Sequence, residues 1–287
     1  NQFPNPKGIK NIRSSCYANA TLQCLLNSKK FYDFFTNNIN NIEEPLKIFI
    51  QHYYNPDIVL INPKNFYIKN DIAKKGPDDT ESFLRRLIFN YDSLFKIFGM
   101  EIVEIRNSEP VFEKIQCINI SQEKNVDLGF QRRILLDMPS NYHDIVIIKI
   151  NRFEKDNQGN SIYDPKPVEI NKFLKINQNN YKLMGIVYHN GNSAMGHFLS
   201  IVISENNIYF INDSNVSVNC PTKLKNEILE KKADLLFYEK IQNEIEIDDK
   251  FIKIEELRKN SCNTKSKKSK KIKESNETEE SEILFIP

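Results

Sequence analysis

Tryptophan is absent from these 287 residues, and long apolar runs are absent too. No stretch approaches the ~18 consecutive apolar residues that a membrane-spanning helix needs, so the sequence predicts no membrane partner. Cysteine is scarce. The five thiols, Cys16, Cys24, Cys117, Cys220 and Cys262, are odd in number, scattered, and never paired as Cys-x-x-Cys. That pattern argues against a disulfide framework and a zinc ribbon and favours a reducing compartment, cytoplasmic or nuclear. Charge of one sign is lacking as well: the net charge is +2, with acids and bases interspersed, which gives no footprint for nucleic acid. No secretory leader and no internal repeat is visible. The missing tryptophan accompanies an abundance of Asn, Lys and Ile, and reads as compositional bias.

What remains is a chain with 40% apolar and 27% charged residues, enough for one large domain or two small ones. Ala18, Leu22, Leu25 and Leu26 fall at helical spacing and predict a helix over 16–35, with Ser14 or Ser15 as its cap. A second helical pattern covers 42–53. A third starts at Pro77-Asp78-Asp79 and continues through Phe83, Leu84, Leu87, Ile88 and Tyr91. Strand patterns then take over at 101–106, 111–120, 134–138, 145–150, 181–188, 197–203, 208–211 and 235–238. Helices first and strands afterwards predict an α+β fold. From 242 onwards a basic cluster (265–271) precedes an acidic run (274–282) with almost nothing apolar between. The expected division is a folded domain over 1–241 and a disordered tail over 242–287. The basic cluster reads as a solvated charge run, with a nuclear localisation signal as the alternative.

Two residues suggest chemistry. Cys16 sits at a predicted helix start, where the dipole and unpaired N–H groups stabilise a thiolate. A lone cysteine there is commonly inert and needs a base. His197, in Gly196-His197-Phe198, begins an alternating strand (His197, Leu199, Ile201, Ile203) and would stand at a strand end beside the core. His52, His143 and His189 are weaker candidates.

Together these segments resemble the signature boxes of the ubiquitin-specific proteases. That family's cysteine box runs Gly-x-x-Asn-x-Gly-Asn-Thr-Cys-Tyr-x-Asn-x-x-x-Gln-x-Leu, and Gly8, Asn11, Cys16, Tyr17, Asn19, Gln23 and Leu25 match it in register. The histidine box is similar to Tyr181-Lys182-Leu183, His189-Asn190-Gly191, Gly196-His197-Phe198 and the run Tyr209 to Val216. The closing Ala-Tyr-x-Leu-Phe-Tyr motif is matched by Ala233 to Tyr238. Asp79 to Leu84 resembles the Gln-Gln-Asp-Ala-x-Glu-Phe-Leu helix start. Met138-Pro139 with Ile150-Asn151-Arg152-Phe153 resembles the Leu-Pro…Leu-Lys-Arg-Phe strand. The boxes occur in family order between residues 8 and 238.

The resemblance implies a papain-like fold with a helical thumb, a β palm and an active site between them. It implies a thiol-dependent hydrolase of bonds at ubiquitin's C-terminal glycine, with ubiquitin or ubiquitinated proteins as partners and a monomeric catalytic domain. Cys16 would be the nucleophile, His197 its base, and Asn11 the oxyanion donor. Asn212 or Asp213 would orient the histidine. Asp79, Phe198, Gly196 and Tyr17 would bind substrate. No cofactor is implied. The fingers interval, 83–138, holds only Cys117, so reduced, metal-free fingers are expected. The chain departs from the family at Arg13-Ser14-Ser15 (Gly-Asn-Thr), Pro77-Asp78 (Gln-Gln), Phe198 (Tyr) and Ile208 (Trp). A catalytically silent ubiquitin-binding relative, or a papain-like peptidase for a ubiquitin-like modifier, are the other readings.

Hairpin geometry bears on the choice between Asn212 and Asp213. If Glu205-Asn206 is a two-residue loop, Ser204 opposes Asn207 and His197 opposes Ser214. Asn212 then shares the histidine's face and Asp213 points to the other, whereas a three-residue loop would reverse this parity and charge alone would favour Asp213.

Overall fold

The computed structural model describes residues 3–72, 78–106, 109–134, 142–155, 157–159, 161–191, 196–204, 207–218, 224–242 and 251. The helices come first. After the short strand β1 (Gly8–Ile9) the chain forms α1 (Cys16–Leu26), α2 (Lys29–Asn38) and α3 (Leu46–Tyr54). Strand β2 (Leu60–Ile61) pairs with β1, and α4 (Lys64–Lys69), α5 (Thr80–Asn90) and α6 (Asp92–Phe98) complete the helical side. The strands follow as β3 (Met100–Arg106), β4 (Glu109–Ile115) and β5 (Ile118–Ile120). Helix α7 (Val126–Ile134) separates them from β6 (Ile145–Ile150), β7 (Phe153–Lys155), β8 (Ser161–Tyr163) and β9 (Phe173–Ile176). Last come β10 (Asn179–Gly191), β11 (Gly196–Ile203), β12 (Ile208–Asn212), β13 (Asn215–Ser217), α8 (Asn226–Lys232) and β14 (Ala233–Ile241).

The main sheet runs β13-β12-β11-β10-β14-β6-β5, with β9 also paired to β10. Its strands separate two cores. Ile145, Ile147, Leu235 and Phe237 face the helices, packing with Leu22, Leu25, Phe83 and Leu87. Val146, Ile148, Ile150, Leu236 and Tyr238 face the other way, toward Phe130 of α7 and Leu229 of α8. This explains the apolar run Ile145 to Ile148 of β6, broken only at Lys149: both faces of the sheet are covered, so alternation is lost. The β3–β4 hairpin forms a separate two-stranded sheet in the interval expected for the fingers.

Several expected boundaries differ. The helix expected over 16–35 is two helices, because Ser28 stops the first and caps the second by accepting a hydrogen bond from Phe31 N–H. Every residue of α1 is buried, polar ones included. Those polar groups find internal partners: Gln23 Nε2 donates to Lys7 O at 2.6 Å, and Tyr53 Oη donates to Gln23 Oε1 at 2.9 Å. The strand expected over 111–120 breaks at Gln116-Cys117, which bends the chain from the hairpin into the sheet. Ile134, expected to open a strand, closes α7, and 135–138 lie outside the described residues, as does Pro77. Helix α5 begins at Thr80 after an Asp79 cap. Of the tail, only Gln242 and Phe251 are described, and Phe251 bridges to Asn171. Among the described residues no helix is long and apolar enough to cross a membrane.

Candidate active site

Cys16 is the first residue of α1, and its N-terminus carries no side-chain cap. Ser15 occupies the cap position, but its hydroxyl accepts from Ile12 N–H at 2.9 Å instead, so neither Ser15 nor the alternative Ser14 caps the helix. The first-turn N–H groups are thereby left for an anion. The loop ahead of Cys16 is held by Asn11, whose Oδ1 accepts from Ser15 N–H at 3.0 Å. Arg13 and Ser14 both take left-handed backbone, φ +48° and +64°, each costing about 1–2 kcal/mol for a residue with a Cβ. The turn needs this conformation, and the family motif places glycine at the position of Arg13.

Around the thiol, burial pushes the pKa up, but a hydrogen bond with His197 and another from Phe198 N–H outweigh it, and the pKa is lowered. Burial alone acts on Cys24, which is pushed well above the ordinary thiol value, and Cys117 is also raised by burial. Cys220 and Cys262 lie outside the described residues. His197 shows the complementary shift: the bond to Cys16, opposed by burial and helped by Asn212, raises it to about 9. Both shifts run in the direction that favours a proton on the imidazole and negative charge on sulfur.

The partner of His197 follows from strand register. β11 and β12 pair as Ile203↔Ile208 and Ser200↔Ile211, and Ser204 N–H donates to Asn207 O at 2.9 Å. Asn212 therefore flanks His197, and His197 Nε2–H donates to Asn212 Oδ1 at 2.7 Å. Nδ1 is then the ring nitrogen left for the thiol. Asp213, expected on the opposite face, does not point away. The chain turns there in left-handed conformation, φ +50°, and brings Asp213 Oδ2 to 3.6 Å from His197 Nε2. Strand parity ends at Asn212, so alternation no longer decides the side.

Asp213 is the hub of a polar network that the sequence did not reveal. Its carboxylate accepts from Asn11 Nδ2 at 2.9 Å and from Asn19 Nδ2 at 2.6 Å, while Tyr67 Oη donates to Asn19 Oδ1. Asn11, expected as oxyanion donor, thus spends one amide hydrogen on Asp213 and retains a second. The turn is fastened to β1 by Ile9 N–H donating to Asp213 O at 3.0 Å. A Cβ on Gly8 would meet Ser214 O at 2.2 Å, so only glycine permits this approach. Gly8 and Asn19 were both visible as matches to the cysteine box, although their structural tasks were not.

The expected substrate residues divide. Asp79 caps α5 in an exposed position, Oδ1 accepting from Glu81 N–H at 2.9 Å and Ser82 N–H at 3.0 Å. Phe198 is half-buried, its ring centroid 4.7 Å from that of His189. Gly196 is exposed, and a Cβ there would meet His189 Nε2 at 1.8 Å. Tyr17 is a core residue instead, 1% exposed and edge-on to Phe83. Its aromatic ring fills the joint between α1 and α5. Rings continue outward from Phe198 through His189 and Tyr163 to Phe153. A cavity of about 430 Å³ lies apart from this site, lined by Asn27, Met184 and Tyr209 among others. Among the described residues no group of three or more His, Cys, Asp or Glu is placed to hold a metal.

Residues 7–238 match the family model described as Ubiquitin carboxyl-terminal hydrolase. Among curated proteins none matches the sequence. Among solved structures, the chain is similar to the SAGA DUB module of Ubp8, Sgf11, Sus1 and Sgf73 bound to monoubiquitin, with TM-score 0.66 and 17% identity over 83% of this chain and 70% of that one. The same module bound to ubiquitin aldehyde gives TM-score 0.63 at 17% identity over 83% and 70%. A yeast SAGA DUB module with an Sgf73 mutant gives 0.61 at 17% over 83% and 69%. At such identity these likenesses establish the fold.

Proposed function

The chain belongs to the ubiquitin carboxyl-terminal hydrolase family, and from that premise we propose that it is an active cysteine deubiquitinase, cleaving the bond after ubiquitin's C-terminal glycine. The observation that carries this reading is the arrangement of Cys16, His197 and Asn212 with a lowered thiol and a raised imidazole. The Cys16 thiolate attacks the glycine carbonyl. The negative charge that forms on oxygen meets the N-terminus of α1 and the free amide hydrogen of Asn11, a kind of donor typically worth about 3 kcal/mol. His197 delivers its proton to the departing amine, and the thioester is then hydrolysed by water that His197 deprotonates. Asn212 holds the ring so that Nδ1 faces sulfur in both half-reactions. Asp79 is the carboxylate open to a cationic group on the substrate's tail, and the half-buried Phe198 narrows the approach to a small glycine end.

The experiment is hydrolysis of ubiquitin bearing a fluorogenic C-terminal leaving group. Wild type should release the fluorophore, and Cys16→Ala should lose the activity while remaining folded. A folded wild type that binds ubiquitin without hydrolysing it would favour the silent-relative reading, and turnover only of a ubiquitin-like modifier would favour the other.

A further inference from the structure

Behind Asp79 lies an ion pair that the reaction does not use. Lys149 of β6 and Asp234 of β14 meet with side chains only 15% and 11% exposed. Burial disfavours the charge on Lys149, but Asp234 outweighs it and raises the pKa, so Lys149 keeps its charge. Pairs so far from water cost desolvation that their attraction rarely exceeds, which makes their placement worth explaining. The third member is Thr80, fully buried at the first position of α5. Its hydroxyl donates to Asp234 Oδ2, and Lys149 Nζ donates to Asp234 Oδ1 and, at 3.3 Å, to Thr80 Oγ1. Two strands of the sheet therefore grip one hydroxyl, and that hydroxyl belongs to the neighbour of Asp79. Asp234 stands where the closing family motif carries tyrosine, so the grip belongs to this chain's own sequence.

We infer that the Lys149–Asp234–Thr80 cluster is a positioning device that fixes the N-terminus of α5 on the sheet and thereby sets Asp79 for the substrate's tail. This rests on the proposed role of Asp79. Anchoring acts through geometry: Asp79 is itself committed to its own helix by Glu81 N–H and Ser82 N–H, so its carboxylate moves with the first turn, and the first turn is held at Thr80. The bonds of Cys16, His197 and Asn212 run among themselves, and those of the cluster run among Lys149, Asp234 and Thr80, so binding should suffer and turnover should not.

The test compares steady-state constants on the fluorogenic ubiquitin substrate. Thr80→Val removes the hydroxyl with little change of shape, and should raise KM about fivefold or more with kcat within twofold. Thr80→Ser keeps the hydroxyl and should stay near wild type. The decisive arm is the cycle with Asp79→Ala: once Asp79 is gone, Thr80→Val should raise KM no further. Should Thr80→Val not fold, Lys149→Arg, which keeps the charge but alters its geometry, goes through the same cycle. Additive losses in KM, or losses in kcat that follow the folded fraction, would show a merely structural role and overturn the inference. An unchanged KM in Asp79→Ala would overturn it as well, while leaving hydrolysis of ubiquitin standing. Wild type without any ubiquitin hydrolysis would remove the proposed function and this inference with it.

Discussion

The centre of the main sheet and the seam where α1 meets the end of β11 and β12 are built on opposite rules. At the centre, Ile147, Ile148, Leu236 and Phe237 are fully buried apolar side chains whose requirement is size and shape. At the seam, Asn11 and Asn19 donate to Asp213 and Asn212 accepts from His197, beside turns with left-handed backbone at Arg13, Ser14 and Asp213. The centre is stabilised by area removed from water. The seam holds a specific hydrogen-bond arrangement and accepts strained backbone for it. Damage at the two places should therefore be read by different instruments, stability for one and rate for the other.

The largest separation is expected between Cys16→Ala and Phe237→Ala. The first should abolish turnover and shift unfolding free energy by less than about 1 kcal/mol, a small change for a side chain losing one sulfur. The second, at a fully buried ring, should cost about 3–5 kcal/mol in denaturant titration. Any turnover left would then scale with the folded fraction. A severe stability loss from Cys16→Ala would blur the division.

Asn212→Ala comes next. It removes the acceptor that holds His197 Nε2–H and should lower kcat on the order of tenfold to a hundredfold, with KM nearly unchanged. Asp213→Ala should be the less damaging in kcat but the more damaging in stability, on the order of 1–3 kcal/mol, because the Asn11 and Asn19 amides lose their shared acceptor. Equal effects of both variants on both quantities would mean that the network acts as one unit.

A pH profile sharpens the same point. The raised His197 pKa means that the proton stays on the ring until about pH 9. The interaction is thus complete below the ring's unfolded value near 6.5 and is lost as pH rises through the folded one. The alkaline limb of kcat/KM should fall near pH 9 in wild type and move to lower pH in Asn212→Ala, where one of the groups favouring the charged ring is gone. A limb that does not move would show that Asn212 leaves the ring's proton affinity unaffected.

The smallest effect should be a gain. Arg13→Gly relieves left-handed backbone and should stabilise the fold by about 1 kcal/mol, offset in part by the freedom glycine regains when unfolded. A loss of stability would mean that the Arg13 side chain makes contacts that outweigh its backbone strain.

Legibility followed the same division. Strand β6 and the β10 to β12 series were readable because burial on one or both faces writes itself into apolar spacing. The break between α1 and α2 was not, since Ser28 caps within a pattern that stays helical on both sides. Helices α4, α6 and α8 were missed because six or seven residues carry too few turns to show a period. At the site, the grouping of Cys16, His197 and Asn212 was legible from motif and register. The position of Asp213 could not, because it depends on one left-handed residue that ends the alternation. Tyr17 matched a family position yet lies in the core, and the Lys149–Asp234 pair pairs residues far apart in the chain with no local pattern to announce it.

The proposed attack of a Cys16 thiolate, made by His197, on ubiquitin's C-terminal carbonyl can be tested with a ubiquitin probe carrying a thiol-reactive group in place of its terminal carboxylate. After reaction the modified peptide is mapped by mass spectrometry. A single adduct on Cys16 is expected, formed far more slowly in His197→Ala. No adduct on folded wild type, or an adduct on Cys24 or Cys117, would contradict it.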